Sequence, residues 1–274
     1  MAGGVRAGAG GGVIVRVLIL SSSPTGFGSF CLPALAAAPG IDVVQAILNE
    51  GAIQRPWQRR WRKLRKIARI GPLGAWNGVR MRAWYDLTER LKLEPLELLA
   101  QRHNVPFATT PSMFAPQTVE LCRAAGADIG LSLGNGYIPR RVFAVPRLGM
   151  LNIHHEMLPQ FQGAQSVIWQ LHEGSARTGF TIHRIDDKID TGEIVYQEQM
   201  KITFASTLAE TVTETYARQW EASRDALVRV LQDFDKYAAG AKAQASGRTF
   251  TTPSYWQFRR IEKQFQRLRK EAAR

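Results

Sequence analysis

The sequence predicts an α/β protein with a doubly wound, mostly parallel β-sheet, a basic helical-hairpin insert and a C-terminal helical tail. Short apolar runs rich in β-branched residues alternate with helical patterns, which is typical of β-α-β units and a parallel sheet. Cations cluster in two segments outside these runs, which separates the insert and the tail from the sheet. With 274 residues and 45% hydrophobic content, the chain can bury a full core.

The first elements form a β-α-β unit. The apolar run VIVRVLIL at residues 13–20 leads into SSSPTG, as a buried parallel strand leads into a loop. Residues 27–38 predict a helix and residues 41–48 a second buried strand. This unit indicates a Rossmann-like sheet. Segment 26–31 resembles a dinucleotide-binding glycine loop, but Cys31 replaces its third glycine, so we interpret it as a strand-to-helix turn.

The same alternation resumes after the insert, which spans about residues 54–92. We expect helices over residues 96–103, 116–125, 139–145, 164–173 and 207–234. We expect strands over residues 105–108, 128–133, 149–153, 179–185 and 193–202. Ligands of open parallel sheets bind beyond the carboxyl ends of the strands. The end of the 149–153 strand is therefore where we expect a site.

We expect one main domain over residues 13–239, preceded by a disordered leader and followed by a basic helical tail. Residues 1–12 are almost wholly Gly and Ala, without the apolar stretch of a secretory signal. Residues 240–274 have no strand pattern, so we expect no C-terminal β-barrel domain. No apolar run reaches the roughly 20 residues of a membrane span, and Cys31 and Cys122 form no CxxC pair. We therefore expect a cytoplasmic protein, at most peripheral to the inner face of the membrane.

The formal net charge of +13 is concentrated in two segments. Residues 54–82 contain ten Lys and Arg residues and no acidic residue, and residues 258–274 contain seven against two. The rest of the chain holds 19 Lys and Arg residues against 21 Asp and Glu residues. The main domain is thus close to neutral, and the positive charge lies on the insert and the tail.

Within the insert, apolar residues recur at helical spacing among the cations, at Trp57, Trp61, Leu64 and Ala68. This pattern predicts an amphipathic basic helix that ends at the Gly-Pro-Leu-Gly segment 71–74, followed by a second helix over residues 76–92. Three interpretations stay open. The cations contact phosphates of a substrate, with Arg59 and Arg62 as candidates; the helix lies on an anionic membrane; or its tryptophans pack on the body of the protein.

A second amphipathic basic pattern lies in the tail. Apolar residues recur there at helical spacing among the cations, at Phe258, Ile261, Phe265 and Leu268. We expect this helix to dock on its own domain.

One segment of the main domain combines three chemically active side chains. Asn152 and His154 end a predicted strand, and Asp190 lies 38 residues after the asparagine in an Asp-Thr-Gly turn. An amide can donate to a developing oxyanion, and an imidazole and a carboxylate can move protons. Together these groups predict an acyl-transfer site. The HExxH and CxxC spacings are absent from the sequence, so we expect no metal.

The motifs around these residues resemble the signature of the folate-dependent formyltransferases, which include the methionyl-tRNA, glycinamide ribonucleotide and sugar-nucleotide enzymes. The matching positions are Asn152-Ile153-His154, Met157-Leu158-Pro159, Gly163, Thr181-Ile182-His183, Asp190-Thr191-Gly192 and the run 138–149. The resemblance covers about residues 13–53 and 95–235.

The resemblance implies transfer of a formyl group from 10-formyltetrahydrofolate to an amine. It assigns Asn152 and His154 to the oxyanion, where one donor is worth about 3 kcal/mol, and Asp190 to the amine proton. Asp190 would also hold His154 in its charged form, because an opposite charge nearby raises a histidine pKa. For the folate ring it implies contacts from two loops, at Gly136, Tyr137 and Ile138 and at Asp186 and Asp187.

Two positions depart from the family's pattern, which usually has Ser where this chain has Glu156 and often Arg where it has Gln162. We expect Glu156 to raise the pKa of His154 further or to bind the acceptor amine. His183 is either a wall of the folate pocket or a strand-packing residue. The departures at Glu156 and Gln162 concern the identity of the acceptor more than the type of reaction.

Domain organisation and charge give different indications about the acceptor. The tRNA-formylating members of this family have a C-terminal β-barrel domain, which the tail does not predict, so we favour an amino sugar carried on a nucleotide or a lipid. Formylation of methionyl-tRNA is the alternative that the basic insert supports. Hydrolysis of formyltetrahydrofolate is an alternative of another class. We expect a folate co-substrate and a phosphate-bearing acceptor as partners, and a homodimer stays open.

Overall fold

The computed structural model describes residues 14–51, 56–163 and 165–274, without the side chains of residues 56–60, 62, 63 and 66. Its strands are β1 (Val15–Ser21), β2 (Ile41–Asn49), β3 (Phe107–Thr110), β4 (Ile129–Ser132), β5 (Met150–His154), β6 (Gln162–Gly163), β7 (Arg177–Arg184), β8 (Ile194–Lys201) and β9 (Thr249–Phe250). Its helices are α1 (Phe27–Ala37), α2 (Pro56–Arg80), α3 (Leu96–Arg102), α4 (Pro116–Ala125), α5 (Arg140–Phe143), α6 (Ile168–His172), α7 (Leu208–Gln232), α8 (Phe234–Ala239) and α9 (Tyr255–Ala272). The predicted leader over residues 1–12 lies outside this part of the chain.

Seven strands form one sheet in the order β3-β2-β1-β4-β5-β7-β8. The five strands from β3 to β5 are parallel, and β7 and β8 are antiparallel additions at one edge. Strand order reverses at β1, because β2 lies on one side of it and β4 on the other. The carboxyl ends of the strands near this reversal are where open α/β sheets bind ligands. The predicted doubly wound, mostly parallel sheet is confirmed.

Side chains on alternate positions of β1 enter two different cores. Val17 and Ile19 pack in a cluster that includes residues of α1 and α7, whereas Leu18 and Leu20 pack in a cluster that includes residues of α4. Successive side chains of a strand point to opposite faces of a sheet. Helices therefore cover both faces of the sheet.

A third core lies beside the sheet and holds the tail helix. Four residues of α9 are buried in it, at Phe258, Ile261, Phe265 and Leu268. They pack with Trp84 and with residues of α6. The expectation that this helix docks on its own domain is confirmed.

The insert is helical, but its second half differs from the prediction. Helix α2 is interrupted at Gly71, which has a left-handed φ of 74°, so the predicted break is confirmed. A second helical segment runs only to Arg80, and a 3₁₀ turn follows at Met81–Tyr85. The predicted helix over 76–92 is wrong beyond this turn. The Asp86 carboxylate accepts a hydrogen bond from the Thr88 backbone N–H at 3.1 Å, and such local bonds compete with helix continuation.

The tail also contains a short strand that the sequence does not predict. Strand β9 pairs in parallel with β6, and Lys242 pairs with Ile194 at the edge of the main sheet. Gly163 permits the first contact, because a Cβ at that position would collide with the Phe250 carbonyl. A two-residue strand is too short to show the alternating pattern that identifies strands in a sequence.

Among the residues that the structure describes, no helix is long and apolar enough to cross a membrane.

Candidate functional site

A cavity of about 730 Å³ lies at the carboxyl ends of the central strands. Its lining comes from the loop after β4, the end of β5, the loop between β7 and β8, and tail residues 249–252. This is the position predicted for a site, and Asn152, His154 and Asp190 all line it. The fold thus brings together three side chains that are up to 38 residues apart in the sequence.

A buried histidine orients the Asn152 amide. His183 lies opposite Asn152 in the β5–β7 pair, and the Asn152 Nδ2 is 3.1 Å from the His183 Nε2. The His183 Nδ1 is 2.8 Å from the Arg184 carbonyl oxygen, to which it donates. Burial lowers the pKa of His183, although Asp190 opposes this shift, so the neutral ring accepts at Nε2 from the amide. This contact uses one of the two N–H groups of Asn152.

His154 has the opposite arrangement of its ring nitrogens. Its Nε2 lies 2.8 Å from the Phe161 carbonyl oxygen and therefore carries the proton that it donates. Its Nδ1 lies 3.8 Å from the Asp190 Oδ2, which is long for a hydrogen bond. His154 is 8% exposed, so the ring is held tightly while one nitrogen faces the carboxylate.

Asp190 stands between the two histidines in a strained conformation. One carboxylate oxygen lies 3.8 Å from the His154 Nδ1, and the other lies 3.8 Å from the His183 Nε2. The Gly163 backbone N–H also donates to Oδ2 at 3.2 Å. The φ of Asp190 is 57°, a left-handed value that few residues other than glycine adopt. Such strain is maintained only where surrounding contacts fix it, and it clusters at functional sites.

The loop that carries Asp190 is closed by two further contacts. The Thr191 hydroxyl donates to the Asp186 Oδ1 at 2.7 Å. A Cβ at Gly192 would collide with the Arg184 carbonyl, so only glycine permits this close approach. The Asp-Thr-Gly turn is therefore a geometric requirement of the site.

Four of the five residues predicted to contact the folate ring line the cavity, at Gly136, Tyr137, Ile138 and Asp186. Asp187 is not among the lining residues. Its carboxylate pairs with the Arg140 guanidinium at 3.2 Å, and its side chain is 59% exposed. The sequence reasoning missed Asn135, Lys188 and Ile189, which line the same side. These three residues lie in or next to the two loops that the resemblance implies for the folate ring, and this position is the sequence signal that could have identified them.

The structure does not bring Glu156 to the cavity, which corrects the expectation that it acts on His154 or on the amine. Glu156 is 4% exposed, and its carboxyl group accepts a hydrogen bond from the Gln170 amide. Burial raises its pKa well above the usual value, although bonds from Val167 and Ser166 lower it in part. Burial thus favours the neutral form of this carboxyl group, which contacts Gln170 and does not line the cavity. Strand β5 ends at His154 and the chain bends at residues 155 and 156, so strand alternation does not predict the direction of the Glu156 side chain.

The insert reaches the cavity through a residue that the sequence reasoning did not single out. The side chains of Arg59 and Arg62 lie outside the described part of the chain. Arg69, about two to three turns further along α2, lines the cavity, and its Nη2 donates to the Thr251 hydroxyl at 3.1 Å. Gln162 of β6 lines the cavity as well. The tail and the insert therefore form one side of the site.

The arrangement offers two kinds of chemistry at one place. The Asn152 amide and a protonated His154 Nδ1 are donors for a developing oxyanion, and the Asp190 carboxylate is a proton acceptor beside them. Within the described ranges, no group of three or more His, Cys, Asp or Glu residues is positioned to hold a metal ion.

Comparisons with known proteins agree with this geometry. Residues 82–231 match the family model described as formyl transferase. A stretch of 152 residues is 30% identical to a methionyl-tRNA formyltransferase from Thermosynechococcus vestitus and covers 55% of this chain and 45% of that protein. The chain thus aligns with about half the length of this curated relative.

Solved structures share the fold. Glycinamide ribonucleotide transformylase 1 from Geobacillus kaustophilus is 19% identical with a TM-score of 0.54, over 81% of this chain and 98% of that chain. A sugar N-formyltransferase from Shewanella is 16% identical with a TM-score of 0.52, over 86% of this chain and 76% of that chain. At these identities the likeness concerns the architecture of the sheet and its helices.

Proposed function

The chain belongs to the formyl transferase family, and from this premise we propose that it transfers a formyl group from 10-formyltetrahydrofolate to an amine. The observation that carries the proposal is the meeting of Asn152, His154 and Asp190 at one cavity, with the His154 Nδ1 3.8 Å from the Asp190 Oδ2. An amide donor, an imidazole and a carboxylate are the groups that acyl transfer to an amine requires.

Each of the three side chains has a defined task in the proposed reaction. The amine nitrogen attacks the formyl carbon, and the carbonyl oxygen becomes an oxyanion that accepts from Asn152 and from the protonated His154 Nδ1. Asp190 accepts the proton that the nitrogen loses. The C=O bond then re-forms, the bond to the folate nitrogen breaks, and His154 gives its proton to that nitrogen. Transfer of the proton from Asp190 to the His154 Nδ1 returns the site to its starting state.

The cavity suits a folate as the formyl donor. Its volume of about 730 Å³ lies within the range of small-molecule sites. Ile138, Ile185 and Ile189 supply apolar walls, and Asn135 and Asp186 are polar residues of the same lining. A mostly apolar slot with a few polar groups at its edge is the usual design for a flat heterocyclic ligand. Asp186 lines the same cavity and is a candidate to accept hydrogen bonds from the amino groups of the folate ring.

The preferred acceptor is an amino sugar carried on a nucleotide or a lipid. Arg69 and the tail residues Thr249–Thr252 also line the cavity, and they lie outside the two loops that we assign to the folate ring. An exposed guanidinium beside Thr251 suits a phosphate group on the acceptor. Methionyl-tRNA is the second candidate, favoured by the ten cations of residues 54–82.

An acceptor panel tests the reaction and its specificity. Purified protein is mixed with 10-formyltetrahydrofolate and with dTDP-, UDP- or GDP-linked amino sugars or charged initiator tRNA, and release of tetrahydrofolate is followed. We expect release only when an amine acceptor is added, and His154→Ala should abolish it. Equal release without an acceptor would replace the transferase by a formyltetrahydrofolate hydrolase, in which water takes the place of the amine.

A further inference from the structure

Helix α2 directs large apolar side chains into solvent. Trp61 is 59% exposed and Trp76 is 66% exposed, and three aliphatic residues of the same helix are more than half exposed, at Leu64, Leu73 and Val79. The interpretation that the insert packs its tryptophans on the body of the protein is therefore wrong for these two residues. Single exposed apolar side chains are normal in soluble proteins, but five large ones within one helical segment indicate a surface with a partner.

The opposite side of α2 is fixed to the protein. Ile70 is 5% exposed and lies half a turn around the helix from Trp61. In the second half of the helix, a Cβ at Gly74 or at Gly78 would touch the segment just before α9, at the Pro253 carbonyl and the Thr252 side chain respectively. The small and buried residues thus hold the helix against the protein, and its exposed apolar side chains point away from the protein.

The segment that carries these apolar side chains is rich in cations. Arg65 is exposed one residue from Leu64, and residues 54–82 contain ten cations without an acidic residue. In the neighbouring helix α9, Trp256 is also 78% exposed. Exposed tryptophan and aliphatic side chains among cations are the composition of helices that lie in the interface of an anionic bilayer.

We propose that this surface, the α2 face, docks on an anionic phospholipid membrane. It consists of Trp61, Leu64, Leu73, Trp76 and Val79 together with Arg65. The apolar side chains would enter the boundary between headgroups and acyl chains, and the cations would meet lipid phosphates. A polyanionic nucleic acid would engage the cations equally well, but it offers no apolar phase to Leu64, Leu73 and Val79. The exposed aliphatic residues therefore favour lipid over RNA.

Membrane docking would bring the cavity to the lipid surface. Arg69 belongs both to α2 and to the cavity lining, and it is hydrogen-bonded to Thr251 of the tail. The α2 face and the mouth of the cavity are consequently adjacent. On the premise of the proposed formyl transfer, this arrangement suits an amine acceptor attached to a lipid phosphate rather than a freely diffusing one.

Vesicle binding by the full-length protein tests the docking. Cosedimentation is measured with vesicles of phosphatidylcholine alone and with vesicles that also contain phosphatidylglycerol, in the absence of folate and amine. We expect binding only to the anionic vesicles. The double variant Leu64→Ser, Leu73→Ser should weaken it at least about tenfold, whereas Leu98→Ser, which changes an exposed leucine of α3, should not.

Charge reversal provides a second matched pair. Arg65→Glu on α2 should weaken binding to anionic vesicles at least about tenfold, and Arg123→Glu, on the exposed side of α4, should leave it unchanged. Circular dichroism establishes that all variants are folded. The proposal is overturned if anionic vesicles do not sediment the protein, if the leucine variant binds like the wild type, or if only tRNA binding responds to Arg65→Glu. Because no substrate is present, a negative result leaves the formyltransferase proposal standing.

Discussion

At the scale of single residues, the site depends on two histidines whose ring nitrogens are used in opposite ways. His154 donates through Nε2 to the Phe161 carbonyl and turns Nδ1 toward Asp190, whereas His183 donates through Nδ1 and turns Nε2 toward Asn152. Asp190 lies 3.8 Å from both rings. The lowered pKa of His183 keeps that ring neutral, so it serves as an acceptor that fixes the direction of the Asn152 amide. His183 is thus a positioning residue for the proposed oxyanion donor.

Glu156 gives a pH-dependent prediction for stability. Burial raises its pKa well above the usual 4.5, so above that pH the folded protein holds a proton that the unfolded chain releases. Stability from this group is therefore present below about pH 4.5 and is lost as pH rises toward the folded pKa. Glu156→Gln removes this dependence while keeping the size of the side chain.

Urea unfolding of the two proteins between pH 4 and pH 8 measures the effect, and the difference in the free energy of unfolding can change by at most ~1.4 kcal/mol per pH unit. The two free energies of unfolding should agree at the acidic end, and the variant should become the more stable one as pH rises. A constant difference across the range would mean that Glu156 does not titrate differently in the two states. Formyl transfer by the variant should persist, since Glu156 does not line the cavity.

At the scale of elements, local patterns identified most helices and strands but not those that depend on distant contacts. The helix predicted over 116–125 matches α4, because Pro116 begins it and Gly126 ends it in a left-handed conformation. The helix predicted over 164–173 begins only at Ile168, because Gln165 and Val167 have φ values of 78° and 73°. A β-branched residue seldom adopts such a value. The burial of Val167 and its bond to Glu156 impose it, and neither contact is visible in the sequence.

The residues of the candidate site likewise fall into those that a local motif identifies and those that only distant contacts bring to the cavity. The motif identified Asn152, His154 and Asp190, because their spacing along the chain is distinctive. It did not identify Arg69 or the tail residues 249–252, which reach the cavity from remote parts of the chain. The expectation for Glu156 was wrong because the chain bends after His154 and turns this carboxyl group toward Gln170, a contact that the sequence does not show.

Gly163 gives a prediction for the β6–β9 pair. Its φ is 100°, and a Cβ there would collide with the Phe250 carbonyl, so Gly163→Ala should push the tail strand away from β6. Its N–H is also the donor to the Asp190 Oδ2, so we expect kcat to fall by about tenfold to hundredfold with the fold retained. Gly240→Ala is the control, because a Cβ there meets only ordinary contacts. Kinetics of formyl transfer would contradict the prediction if both variants behaved alike.

At the scale of the whole molecule, two distant segments of the chain build one structure beside the sheet. Helix α2 packs through Gly74 and Gly78 against the segment just before α9, and the tail strand β9 pairs with β6. The side chains of α9 fill a core separate from the two cores of the sheet. Folding of this third core therefore determines both the side of the cavity at Thr249–Thr252 and the seat of the α2 face.

Phe258 tests this dependence. It is 2% exposed in the third core, so Phe258→Ala should lower the free energy of unfolding by about 3–5 kcal/mol, as large-to-small changes of buried aromatic residues do. Trp256→Ala, two residues earlier and 78% exposed, should change it little. Hydrogen exchange should show lost protection in α9 and in the second half of α2, with β1 and β4 unchanged, because these strands belong to the other cores. Uniform loss of protection across the sheet would instead mean that the third core is not a separate unit, and that the insert, the tail and the sheet unfold together.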